Sequence, residues 1–114
     1  MQDFRNLIAW QKASALEDRV WELAKRIQPK HRGLADQIDR AASSITWNIA
    51  EGAGRETKAD FRKFLTSSIS SSTEVEDHTI RAFKRGFISR EEHDSLIADA
   101  VEVRKIIHGL RKRL

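Results

Sequence analysis

The stretch Gln37-Ile-Asp-Arg-Ala-Ala-Ser-Ser-Ile-Thr-Trp-Asn-Ile-Ala-Glu-Gly-Ala-Gly-Arg55 decides the fold. Leu34, Ile38, Ala41, Ala42, Ile45, Ile49 and Gly52 recur at three- and four-residue steps, which is the spacing of one buried face of an α-helix. The other side carries Arg40, Ser44, Trp47 and Glu51, spaced four, three and four apart. At 3.6 residues per turn those four side chains form one column. A face that only meets water rarely sets a Trp between an Arg and a Glu. The pattern reads as a helix with two working faces, one for a core and one for assembly or binding.

The rest of the chain extends this pattern. Its 114 residues make one domain with room for a single core. One Pro and five Gly leave few breakpoints, so the elements are expected to be long. With no Tyr, few Val and no alternating run, strands are not expected. The class is all-α. The first helix is expected from about Leu7 to Gln28, capped by Asn6 and stopped by Pro29 and Gly33. The second spans about Leu34 to Ala53, with Gly54 as a left-handed C-cap. Thr57 caps the third, with Asp60 at N3, and Gly86 ends it near Arg85. Ser89-Arg-Glu-Glu92 is a full capping box that starts the fourth. Short connections make neighbours antiparallel, so the expected architecture is an up-down-up-down four-helix bundle over residues 1–114.

Within the third helix, Ser67-Ser68-Ile69-Ser70-Ser71-Ser72-Thr73 is rich in a residue whose hydroxyl competes for the backbone. Such a run either bends a helix or lets a neighbour approach closely. Phe64, Leu65 and Val75 keep the helical register across it, which favours close packing.

Several function classes are excluded or disfavoured. Cys is absent, which removes a thiol nucleophile, a disulfide framework and Cys-ligated zinc. No apolar run is long enough to span a bilayer and the opening residues form no leader, so a cytoplasmic location without membrane contact is expected. Gly52-x-Gly54 is a helix stop rather than a phosphate loop, since no strand precedes it. Glu74 and His78 are four apart on one face beside Asp77. A bundle metal site needs further ligands from other helices, so no metal or other cofactor is expected. No Ser sits beside a base in sequence. No catalytic residue is assigned, and the protein is not expected to be an enzyme.

Charge points elsewhere. The net charge is +4 and the sequence pI is about 9.8. From Arg104 onward the chain carries Arg104, Lys105, Arg111, Lys112 and Arg113, with His108 and no acid. Cations at a helix C-terminus complement its dipole, and they also suit a polyanion. A second cluster, Lys58, Arg62 and Lys63, lies near the start of the third helix. In an up-down bundle the fourth helix ends at the pole where the third begins, so the two clusters are expected to merge.

Three motifs carry a family resemblance. They are Phe4-x-x-Leu7-x-x-Trp10-Gln11-x-Ala13, the run Gly33-Leu34-x-x-Gln37-Ile38-x-Arg40-Ala41-Ala42-x-Ser44-Ile45-x-x-Asn48-Ile49-Ala50-Glu51-Gly52, and Arg55 followed by Phe61-x-x-Phe64-Leu65. Together they resemble the bacterial four-helix-bundle proteins encoded within intervening sequences of 23S ribosomal RNA genes. A related branch is the accessory variability determinant protein of diversity-generating retroelements. The resemblance implies an up-down bundle assembled as a homopentamer. In one branch it implies association with a reverse transcriptase and nucleic acid, and in the other, RNA binding. The chain departs from the family pattern at Ser70-Ser71, where a Gly-Ser pair is usual, and at Trp47, where a small residue is common.

Beside that resemblance, Arg40, Asn48 and Glu51 read as residues that fix helix register and pairing. Asn48 borders the apolar stripe and is expected to bond within a helix interface. Glu51 is placed to pair with Arg55, and Arg40 with Asp36 or a neighbour. Two functions remain open: a nucleic-acid-binding oligomer that sums cations from several copies, or a scaffold for a protein partner. In the second, Arg40, Trp47 and the Trp10/Trp21 region form the contact surface, or Trp47 lies between copies.

Overall fold

The computed structural model describes residues 2–114. A 3-10 turn, Phe4–Asn6, leads into four helices: α1 (Ile8–Ile27), α2 (Arg32–Ala53), α3 (Lys58–Lys84) and α4 (Arg90–Arg113). There is no strand among the described residues, so the all-α four-helix bundle expected from the sequence is the fold observed. The 27 residues of α3 make a rod of about 40 Å, matching the 44 Å long axis. Among the described residues no helix is long and apolar enough to cross a membrane.

Antiparallel order is visible in the side-chain pairs. Ser68 and Ser71 on α3 bond to Ile45 and Ser44 on α2, so one helix ascends as the other descends. Likewise Arg19 and Arg26 on α1 meet Asp99 and Glu92 on α4. One aliphatic core runs through all four helices, including Leu16, Val20, Ile27, Ile38, Ile45, Ile49, Leu65, Val75 and Ile107. The apolar stripe of α2 is buried along its whole length. The outermost core positions of α3 and α4 (Phe64, Ile69, Ile80, Phe83, His93 and Ile97) are only half-buried.

The serine run packs closely, and α3 continues through it without a break. Ser68 and Ser72 are fully buried, and the Ser68 hydroxyl donates to the Ile45 carbonyl oxygen at 2.9 Å. At the far end of the same contact Gly52 lets α3 approach α2. A Cβ there would lie 2.8 Å from Phe61 Cδ1 and from Phe64 Cβ.

The helix ends correct three expectations. Asn6 does not cap α1. Asp3 instead caps the 3-10 turn through the Arg5 N–H, and Leu7 takes the N-cap position with no side-chain bond. The entry is held by packing, with Phe4 edge-on to Trp10 at 5.1 Å. Second, α2 starts two residues early because His31 Nδ1 accepts the Leu34 N–H at 3.0 Å. Third, Gly54 is right-handed (φ −83°), because α2 closes with tight bonds from Gly54 N–H to Glu51 O and from Arg55 N–H to Gly52 O. The left-handed glycine is Gly86 (φ 76°). There the N–H groups of Gly86 and Phe87 return to Phe83 O and Ala82 O, which is a Schellman closure. Thr57 and the Ser89–Glu92 box cap α3 and α4 as the sequence predicts.

Candidate nucleic-acid interface

The end of α2, the start of α3 and the end of α4 share one pole of the bundle, and the two cation clusters meet there. Lys58, Arg62 and Lys63 are exposed on the first turns of α3, and Lys112 and Arg113 are exposed at the end of α4. Arg111 joins them. Its guanidinium donates to Thr66 Oγ1 at 3.1 Å and stands 3.1 Å from His108 Nδ1, while Thr66 Oγ1 itself donates to the Arg62 carbonyl. One hydrogen-bonded chain thus ties the α4 cluster to the α3 cluster. Lys105, seven residues before Lys112, shares its solvent-facing column.

Arg104 does not belong to this surface. It is half-buried and pairs with Glu76 of α3 at 2.7 Å, with a second donation to Thr73 Oγ1 at 3.3 Å. Its charge is spent inside the α3–α4 seam, so it is a structural cation.

The α2 column also separates into parts. Glu51 pairs with Arg55 at 3.1 Å, as the spacing predicts. Asn48 is buried and its amide donates to Ser44 O and Ser44 Oγ at 2.8 and 3.0 Å. Ser44 Oγ in turn accepts from Ser71, which extends the network across the α2–α3 contact. Arg40 does not pair with Asp36. It has no ion-pair partner among the described residues and lines an open cleft of about 730 Å³ with Gln37, Glu74 and His78. The reason is geometric: Asp36 and its neighbour Asp39 turn toward α1, and Arg40 toward α3. Trp47 is 60% exposed and meets the Phe64 ring edge-on at 6.5 Å, while the Arg55 guanidinium covers Phe64 at 4.6 Å. The sequence reading used Phe64 to hold the register of α3 and missed this surface pairing. The signal was Gly52, which brings α3 close enough for its rings to reach α2.

The α1–α2 side sets Asp36 and Asp39 beside Lys25, whose ammonium lies 5.7 Å from the Trp21 ring centroid. Burial, and then the charges of Glu17 and Asp36, push the Asp39 carboxyl above the ordinary Asp range. The same wall carries Trp21, which is 53% exposed. In the Arg40 cleft Asp77 is engaged by Arg81 at 2.9 Å, and His78 Nδ1 is buried without a hydrogen-bond partner. Among the described residues no group of three or more His, Asp or Glu side chains converges in a way that could hold a metal.

A long up-down bundle with two cation clusters at one pole defines the class: a small four-helix-bundle protein. The chain belongs to the 23S rRNA-intervening sequence protein family, whose model matches residues 5–109. Among solved structures it is similar to a protein of unknown function from the S23 ribosomal protein family of Bacteroides thetaiotaomicron. That likeness has a TM-score of 0.88 at 25% identity, over 92% of this chain and 99% of the other. No curated protein matches it significantly.

Proposed function

We propose that this protein is a non-enzymatic RNA-binding bundle that acts as a homo-oligomer, with structured RNA preferred to DNA and a pentamer the favoured assembly, in the cytoplasm. The observation that carries the reading is the convergence of Lys58, Arg62 and Lys63 with Arg111, Lys112 and Arg113 through the Arg111–Thr66 bond. Two clusters on different helices, far apart in sequence, form one cationic surface, the footprint expected of a polyanion site. A monomer at +4 attracts RNA weakly, but five copies carry about +20 by multiplication of the formal charge. The family's description, which refers to 23S ribosomal RNA intervening sequences, favours RNA over other polyanions.

The test is reversal of Arg111, Lys112 and Arg113 to Glu, read by fluorescence anisotropy on a labelled RNA hairpin across a salt series. Weaker binding with a flatter salt slope is expected; an unchanged affinity and slope would sink the assignment. Light scattering on the unmodified protein reads the subunit number.

A second reading, a scaffold for a protein partner such as a reverse transcriptase, is supported by the other face. Trp21 is exposed with Lys25 over its ring and Asp36 and Asp39 nearby, a mixed-charge rim around a large aromatic of the kind protein contacts favour. Binding to that partner would fall much less with salt.

A further inference from the structure

We infer that Trp47 is a stacking platform for an unpaired base of the bound RNA, the basic pole holding the phosphates that flank it. The inference rests on the RNA-binding reading and adds to it the class of RNA: a single strand, loop or bulge rather than a continuous duplex.

Three observations carry it. The first is exposure in the wrong place for a core residue and the right place for a base. Trp47 shows 60% of its surface to solvent, yet its neighbours on the outer face of α2 are Arg40, Ser43, Ser44 and Glu51. Apart from its Phe64 partner, the indole stands among polar groups and presents one flat ring to solvent. It is the size of contact that a single nucleobase makes.

The second is rigidity. Phe64 meets the indole edge-on at 6.5 Å, within the range of a favourable aromatic pair. Phe64 is itself held from above by Arg55 at 4.6 Å, and Glu51 fixes Arg55 at 3.1 Å. From below, Phe64 is seated against Gly52, where no Cβ would fit. The platform is therefore formed before any ligand arrives, which lowers the ordering cost of binding.

The third is continuity with the cations. Successive residues step round a helix by about 100°, so Phe64, Lys63 and Arg62 fan from the α2 side of α3, across its solvent face, to the α4 side. Contacts fix both ends of that fan: Phe64 touches Trp47 on α2, and Thr66, one turn past Arg62, receives Arg111 from α4. The aromatic pair is thus one end of the cationic stripe. At that end Glu51 is paired with Arg55, and Asp60, one turn before Phe64 on α3, is the carboxylate that lies between the ring and Lys63, where Lys58, Arg62 and Lys63 outnumber it. A strand whose phosphates follow the stripe brings a base to Trp47. Stacking reads the π-face alone, so all four bases are accepted, with little sequence preference.

The experiment compares two probes, a fluorescein-labelled oligouridylate and a blunt RNA duplex of equal length, by anisotropy across a salt series. The proteins are the unmodified chain, Trp47→Ala, Trp47→Phe and the Arg111/Lys112/Arg113 reversal, each weighed by light scattering. Trp47→Ala is expected to weaken oligouridylate binding about tenfold with the salt slope intact, and to leave duplex binding unchanged. Trp47→Phe should restore most of the loss. If Trp47→Ala changes neither probe, or both equally, while the reversal abolishes both, stacking is wrong and the RNA reading stands. If the unmodified protein binds neither probe at physiological salt, both readings fall. If Trp47→Ala lowers the particle mass, Trp47 lies between copies and the inference is overturned.

Discussion

The guanidinium of Arg104 on α4 lies 2.7 Å from the carboxylate of Glu76 on α3, and both side chains are more than two-thirds withdrawn from water. This relationship divides the cations of α4 into two kinds. Lys105, Lys112 and Arg113 face solvent, whereas Arg104 has already met its counter-charge. Arg104→Ala should therefore leave RNA affinity within about twofold. It should cost about 1–2 kcal/mol of stability, because Glu76 is left half-buried with no partner. Urea melts beside anisotropy check this; a large loss of RNA binding with unchanged stability would reverse the assignment.

Gly52 is a contact residue of the α2–α3 pair. Adding one methyl group by Gly52→Ala would push against Phe61 Cδ1 and Phe64 Cβ, each 2.8 Å from the new atom. The gain in helix propensity is about 1 kcal/mol. Overpacking costs about 1–3 kcal/mol, and here the backbone of α3 must shift because the clash includes a Cβ. A net fall in melting temperature is expected by circular dichroism, together with a change in near-ultraviolet signal as Phe64 moves against Trp47.

Ser68 separates the role of its size from the role of its hydroxyl. Ser68→Ala removes the bond to Ile45 O, at a cost of about 1 kcal/mol, and keeps the helices at the same distance. Ser68→Val fills a space that is already fully occupied, so a larger loss of about 1–3 kcal/mol is expected. Equal effects in denaturant melts would mean that the hydroxyl, not the small volume, is what α3 requires.

The Asp39 carboxyl supplies a pH test. Burial, with Glu17 and Asp36 nearby, raises it above its unfolded value, so the folded state binds the proton more readily than the unfolded one. Above the ordinary Asp range the ionised group thus subtracts from stability, and below that range it has no effect. Asp39→Asn should raise stability at neutral pH by a few tenths of a kcal/mol, about the size of a like-charge helix pair. The gain should shrink as pH falls through the ordinary Asp range and vanish below it, where both states are protonated. Thermal melts at neutral and acid pH read the difference, and a gain that persists in acid would point to packing rather than charge.

Periodicity revealed the helices because burial on one face is a property of single helices. Leu34 to Gly52 is buried as its spacing dictates, and the serine run packs closely because flanking apolar residues kept its register. Properties that depend on two helices together were harder to see. Nothing local separates Arg104 from Lys105; only the position of Glu76 across the seam does. Phe64 reads as core from its own helix, but the neighbour it meets is Trp47 at the edge of the contact. Helix ends were legible where the capping bond is between residues three apart, as at Thr57 and Ser89. They were missed at Asn6, where α1 begins at Leu7 without a side-chain cap, and at Gly54, where a tightened last turn supplied the bonds.

The seam between α1 and α4 is the thinnest of the four and is bridged at the surface by Lys12–Glu102, Arg19–Asp99 and Arg26–Glu92. The other three seams join consecutive helices. The chain can therefore assemble hairpin by hairpin, and the one closure between sequence-distant helices is expected to come last and to add little to the barrier. That places folding among the fast, microsecond-to-millisecond class of local topologies. Exposed ion pairs that form after the transition state slow escape from the native state rather than speed arrival, so salt should act on the unfolding rate of this bundle and leave its folding rate nearly untouched.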